Sequence, residues 1–355
     1  MMNNKVVYYL KKNFINLITF VSIVFGLICF SERIKSAIEN AIYIWVNIIV
    51  PSVFPYLVLS KYICSSDMMS IFETFPGKPI SKIFKLSSCS IKPFLCSLFC
   101  GYPSGAIGAT DLYKQKLISK DEAKRLICFT NNAGPLFLIS AVGTNMLGSF
   151  KKGIAIYLIN LLSALLYGLF CSLGKSKKVI RKSEAKKHIP DICLSIKYSV
   201  EATVNVCGFM IAAFVMSEFF IILTDTILLD STIQKYVNAF IKGIFEISAG
   251  VNSITFLNLG QLEYGIICSF VSWSGLSVIM QIKSISENII STKEIVLAKL
   301  CQAIISFILG CGYKVIFKTS AYISPKINYV FLLSVIFSVV LFLYYMINKK
   351  KKLSE

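Results

Sequence analysis

Residues 153–174 read GIAIYLINLLSALLYGLFCSLG, with Lys151-Lys152 immediately before them and Lys175 immediately after. No residue between those lysines carries a charge. A bilayer core takes about 20 apolar residues of helix, within roughly 17–25. Similar uncharged runs occupy 13–31, 40–60, 93–110, 126–150, 264–282 and 327–348, while 202–217 continues past Glu218 to Thr224. Shorter runs cover 247–262 and 300–313. Lipid offers free backbone groups no partner, so such runs must be helices or lie buried against helices. The sequence therefore predicts an all-α, polytopic transmembrane helical bundle.

Composition agrees. Of 355 residues, 55% are hydrophobic and 15% charged, against about a quarter charged in ordinary soluble domains. A soluble core of this size would need more charge to cover its surface. The 37 basic residues outnumber 18 acidic ones, and they cluster at the N-terminus, in 175–187 and in Lys349–Lys352. Clusters flanking apolar runs mark cytoplasmic loops beside anionic lipid. They lack the aromatic or polar interleaving of a nucleic-acid face, so nucleic acid is excluded as a partner. Lys5, Lys11 and Lys12 precede a first run with no small-residue cleavage pattern, which predicts a retained helix and not a secretory signal.

Of the 12 cysteines, most sit singly in apolar runs and read as unpaired small hydrophobes. Cys96 and Cys100 are one helical turn apart, but no His or second pair accompanies them, so no metal is expected. No Gly-rich phosphate loop followed by Lys appears, and the single His, His188, lies in a basic linker. An ATP motor, a Ser–His or Cys–His catalytic pair, and hence an enzyme or a cofactor, are not expected.

The chain reads as built twice. Ile34–Glu39 matches Ile196–Glu201, Ser104-Gly105 matches Ser274-Gly275, and Ile118–Glu122 matches Ile290–Glu294. The last pair are capping boxes, Ser119 with Glu122 and Ser291 with Glu294, each announcing a helix start. This divides the chain into a helix in 1–33, a first repeat 34–174, a basic linker 175–195, a second repeat 196–348 and a basic tail 349–355. With all basic clusters inside, crossings fall at 13–31, 41–63, 126–148, 152–174, 200–224, 264–284, 293–314 and 327–347. The runs near 93–110 and 240–258 become re-entrant hairpins. The halves then enter the membrane from opposite sides, as inverted repeats do, with a substrate site at their interface near the midplane.

Polar and helix-breaking residues inside apolar runs mark that site. Tyr102, Pro103, Ser104 and Gly105 cannot continue a smooth helix, since Pro103 lacks a donor and glycine flanks it. Asn131 and Asn132 place two amides beside a second break at Gly134-Pro135. Glu246 lies in a short segment broken by Gly243 and Gly250, and a carboxylate at such depth costs about 2.5–3.5 kcal/mol on insertion scales. Ser274, Gly275 and Gln281 complete the set. Glu218 lies seven residues before Asp225 and is explained by snorkelling.

The motifs Gly101–Ala106, Asp111-Leu112-Tyr113 with Leu117-Ile118-Ser119 and Glu122-Ala123, and Phe129–Phe137 resemble the YlbJ family, sporulation integral membrane proteins of endospore-forming bacteria. Gly243–Ile247 and Ser274–Val278 with Gln281 add second-half similarity. Ser248-Ala249 and Ser274-Gly275 depart from the family's polar pair and Gly-Gly. Pro79–Phe84 also looks like the opening of the Gate modules of ferrous-iron transporters. The family is grouped with the "nucleoside recognition" or Gate-domain proteins, and this resemblance implies two inverted Gate-like repeats in a cell membrane, the bacterial inner membrane or the membrane around the forespore. The function implied is a permease-like transporter of a small polar solute, nucleoside-like or an ion, with the lipid bilayer as partner and oligomers allowed. The alternative is a non-transporting scaffold for spore-envelope assembly.

Overall fold

The computed structural model describes residues 4–65, 77–174, 191–227, 230–257, 259–260 and 262–319. Among these every regular element is helical. α1 (Asn4–Cys29) precedes the bundle. α2 (Ser31–Ile44), a wider π turn at Trp45–Ile49 and α3 (Val50–Ser65) form one span, with Pro55 inside α3. The two ends of this span, marked by Arg33 and Lys61, serve to orient the rest.

Short α4 (Gly77–Phe84) is bent by 105° from the segment Ser88–Cys100. α5 (Ile91–Cys100) and α6 (Ser104–Lys114) make a hairpin. Both its outer ends lie at the Lys61 end, because Asp111 pairs with Lys61 at 3.3 Å and Ser90 Oγ donates to Glu122 at 2.7 Å. α7 (Lys120–Thr130) enters there, breaks, and continues as the π-helical α8 (Phe137–Met146). α9 (Phe150–Ser172) returns, its last residue donating to Phe84 O at 2.9 Å.

The second half opens with α10 (Ile192–Ile227), antiparallel to α2 and α3. Arg33 bridges Glu218 and Asp225 at 2.7 Å each, Trp45 Nε1 donates to Thr203 O, and Lys61 stacks on Tyr198. α11 (Ser231–Phe245) starts at the Arg33 end, where Gln234 meets Asp225. It turns at Glu246, and α12 (Ile247–Thr255) folds back so closely that a Cβ on Gly250 would collide with Gly243 Cα. α13 (Leu262–Trp273) and α14 (Gly275–Ser286) cross to the Lys61 end, where Glu287 pairs with Lys114 at 2.8 Å. α15 (Thr292–Thr319) crosses back alongside α13 until Tyr313 stacks on Tyr264.

Five helices are long and apolar enough to cross a membrane: Ser31–Ile63, Phe150–Ser172, Ile192–Ile227, Leu262–Ser286 and Thr292–Tyr313. They answer the predicted crossings at 41–63, 152–174, 200–224, 264–284 and 293–314. The hairpins expected at 93–110 and 240–258 are present as α5–α6 and α11–α12. The crossing expected at 126–148 is two pieces, α7 and α8, separated by 131–136. The first crossing, 13–31, falls in α1, while 327–347 and most of the basic linker and tail lie outside the described residues.

The described helices expose apolar faces and bury polar groups within a largely apolar core. On α15, Leu297, Ile304 and Ile308 are exposed along one face, while Lys299, Gln302 and Ser306 are buried on the other. Lipid solvates the first face, and the second needs protein partners. Lys299 and Gln302 find theirs in backbone and amide oxygens, and Ser306 in Ser272.

Two expectations are corrected. The matched stretches 118–122 and 290–294 start α7 and α15, but Lys124–Glu294 at 2.7 Å sets those starts side by side at one end. Helices equivalent under an inversion would start at opposite ends, and α6 and α14, opened by the matched Ser104-Gly105 and Ser274-Gly275, likewise run in the same direction. The elements that do run oppositely are α2–α3 against α10, hairpin α5–α6 against hairpin α11–α12, α7–α8 against α13–α14, and α9 against α15. The thiols of Cys128 and Cys268 are unpaired as expected, whereas Cys96 is disulfide-bonded.

Candidate functional site

Two chain breaks from the first half cross inside the bundle. Gly101 adopts φ +72°, and the Tyr102–Pro103 peptide is cis. Tyr102 N donates to Asn132 O at 2.8 Å. A Cβ on Gly101 would strike the amide N and Cα of Gly134, so the two breaks touch backbone to backbone. Only glycine allows both the left-handed conformation and this approach.

Asn131 holds the crossing together. Its Oδ1 accepts from Ala106 N at 2.8 Å, capping the first turn of α6, and its Nδ2 donates to Ile127 O at 2.7 Å. It is 0% exposed. The sequence reading offered this amide to a solute, but its oxygen and nitrogen are both engaged by backbone. Asn132 donates through Nδ2 to Phe129 O at 2.8 Å and keeps Oδ1 for another partner. Ser104 Oγ donates to Gly101 O, and Gly105 packs directly on Thr130.

Two breaks from the second half meet in the same fashion. Glu246, 4% exposed, ends α11 and caps α12, accepting from Ala249 N through Oε2 at 2.9 Å. A carboxylate at a helix N-terminus is favoured by about 0.3–1 kcal/mol, and more where it is partly buried. Ser274 and Gly275 are both left-handed, and a Cβ on Gly275 would press on Phe245 O and Glu246 Cα. Trp273 Nε1 donates to Ile244 O across the same junction.

The junctions from the two halves are joined. α14 packs on α6 and α12 on α8, and the Tyr102 phenol lies within electrostatic range of Glu246. Of the predicted residues, Tyr102, Pro103, Ser104, Gly105, Asn131, Asn132 and Gly134 thus form one junction, and Glu246, Ser274 and Gly275 the other. Gln281 stands apart: it lies six residues into α14, about 9 Å along the axis, buried with neither amide atom hydrogen-bonded. Helix starts at α6, α8, α12 and α14 supply amide dipoles at this level, and helix ends at α5, α7, α11 and α13 supply carbonyls. Such an arrangement can bind an anionic group or a cation by backbone alone.

Sequence reasoning missed two residues here. Lys299, 1% exposed, donates to Asn131 O, to Asn132 Oδ1 at 3.3 Å and to Gln302 Oε1 at 3.4 Å. Gln302 Nε2 donates to Cys128 O at 2.7 Å. Together they satisfy carbonyls that the break in α7 would otherwise orphan. In the sequence Lys299 only bounds the apolar run 300–313. The spacing of Lys299, Gln302 and Ser306, one polar face through an apolar run, is the signal that could have found it. A second buried network joins Asn160 Nδ2 to Ser272 Oγ at 2.9 Å and Ser272 to Ser306 at 2.5 Å, tying α9, α13 and α15 together.

Fold and site define a multi-pass helical membrane protein with paired broken helices at its centre. The chain is similar to the sporulation integral membrane protein YlbJ of Bacillus subtilis (strain 168), with 24% identity over 305 residues, covering 76% of this chain and 74% of that one. That similarity, spread over most of both chains, supports a YlbJ-like family. No protein-family model and no solved structure matches the chain.

Proposed function

We propose that the chain is a permease-like protein that moves a small polar solute, nucleoside-like or an ion, between two inverted repeats, in a bacterial cell membrane during sporulation. The sporulation role comes from the name of the B. subtilis relative. The repeats would be α2–α9 and α10–α15, with hairpin α5–α6 answering hairpin α11–α12 and α7–α8 answering α13–α14. By the positive-inside rule the Lys61 end, which continues into the basic linker, is cytoplasmic; the membrane around the forespore is a candidate location.

One observation carries this reading: helices opened by the breaks of one half pack on those of the other, α14 on α6 and α12 on α8, with Tyr102 within electrostatic range of Glu246. Discontinuous helices at membrane depth are tolerated where protein or a wet cavity satisfies them, and this is where transporters place their sites. In this scheme the helix starts hold the solute, Glu246 takes a coupling cation or proton, and Asn132 is held by Phe129 O and Lys299. Asn131 and Lys299 hold the first junction's geometry.

The experiment is a ligand screen by thermal stability of detergent-purified protein, using nucleosides, other small polar solutes and cations. A ligand at about 100 times its dissociation constant stabilises the folded state by about 2.7 kcal/mol. A shift that disappears in Glu246→Gln supports the permease. A well-folded protein with no shift across the panel moves the weight to the scaffold.

A further inference from the structure

Lys299 brings its amino nitrogen into the centre of the bundle, where among the described residues no carboxylate is hydrogen-bonded to it. Among the described residues, its Nζ meets Asn131 O, Asn132 Oδ1 and Gln302 Oε1, all neutral oxygens. Two of the three come from the break that ends α7, where aligned peptide dipoles leave a partial negative charge of roughly half an electron. The third is held in place because the same side chain's nitrogen donates to Cys128 O. A buried ammonium is stable only where oxygens replace its water shell. Oxygen atoms from a helix end and two side-chain amides are also what an alkali cation requires, and they do not distinguish it strongly from a primary ammonium of similar size.

We infer that the break in α7 is a monovalent-cation site, built from Asn131 O, Asn132 Oδ1 and Gln302 Oε1, and filled by the chain's own Lys299 ammonium. The tethered cation pins α15 to the α7 break, and through Tyr102 N on Asn132 O it also pins the tip of the α5–α6 hairpin. Shortening Lys299 should therefore leave a site for a free monovalent cation, a small primary ammonium or potassium. The inference concerns occupancy of the α7 break and holds whether or not a solute crosses the protein.

The test uses the full chain in detergent or nanodiscs and compares melting temperatures in choline, potassium and methylammonium chlorides at matched ionic strength. Lys299→Ala should melt several degrees below wild type in choline and regain most of that loss in methylammonium or potassium. Wild type should not respond to the exchange, because its site is full. Equal melting of Lys299→Ala in the three salts overturns the site. If the alanine variant is not recovered folded, Lys299→Met decides, since it keeps the apolar stem and removes the charge. It should melt below wild type in every salt without rescue; melting at or above wild type would show that Lys299 acts only by packing.

Discussion

The amide of Tyr102 donates to the carbonyl of Asn132 at 2.8 Å, so the hairpin tip and the break in the neighbouring span share one backbone hydrogen bond. Around it Gly101 and Gly134 are in contact. Gly101→Ala should be destabilising twice over: a left-handed L-residue costs about 1–2 kcal/mol, and the new Cβ collides with the Gly134 backbone. Gly148→Ala is the control, since its φ is +60° with nothing within 4 Å of the added carbon. Thermal unfolding should show the larger loss at Gly101. Equal losses would mean the crossing has room to relax.

Asn131→Ala removes an acceptor from Ala106 N and a donor from Ile127 O inside a fully buried junction. Each buried group left unpaired costs about 1–3 kcal/mol. The variant should melt well below wild type. Asn131→Asp should not recover it, because the carboxylate restores the acceptor only and buries a charge. A stability for Asn131→Ala within about 0.5 kcal/mol of wild type, the range of an ordinary surface change, would return this amide to the list of residues free to bind a solute.

Arg33 reaches two carboxylates, Glu218 and Asp225, at 2.7 Å each, and so ties the start of α2 to the end of α10. Its side chain is 40% exposed, so solvent screening holds the loss in Arg33→Ala to the order of 1 kcal/mol. Lys114→Ala removes an ion pair whose partners are both more than half exposed and should not change the melting temperature. If both variants behave alike, the Arg33 pairs are as well screened as any surface pair.

Legibility followed the range of each signal. The span 153–174 was readable because its composition alone decides it, and the breaks at Pro103 and Pro135 because proline acts on its own backbone. What Asn131 does was hidden, since its partner Ala106 lies 25 residues away. The pairing of Lys299 with Asn132, 167 residues apart, was hidden for the same reason. The repeat register went wrong through a sound local reading. Ser119 and Ser291 do cap their helices, accepting from Glu122 N at 3.2 Å and Glu294 N at 3.3 Å. But a capping box marks any helix that starts in a polar layer, whatever its place in a repeat, and Glu122 spends its carboxylate on Ser87 and Ser90 instead of closing the box.

The direction of each crossing can be tested without any ligand. Asn145, near the end of α8, and Thr232, at the start of α11, lie at the Arg33 end. Lys120, at the start of α7, and Asn288, after α14, lie at the Lys61 end. All four are exposed. Single cysteines at Asn145 and Thr232, in a background without native thiols, should react with a membrane-impermeant reagent added from one side. Cysteines at Lys120 and Asn288 should react only from the other, the side expected to be cytoplasmic from the basic linker. Labelling of Asn145→Cys and Lys120→Cys from the same side would mean that α7 and α8 together do not cross. The oppositely directed pairing of α7–α8 with α13–α14 would then fail, and with it the central placement of the Tyr102–Glu246 junction.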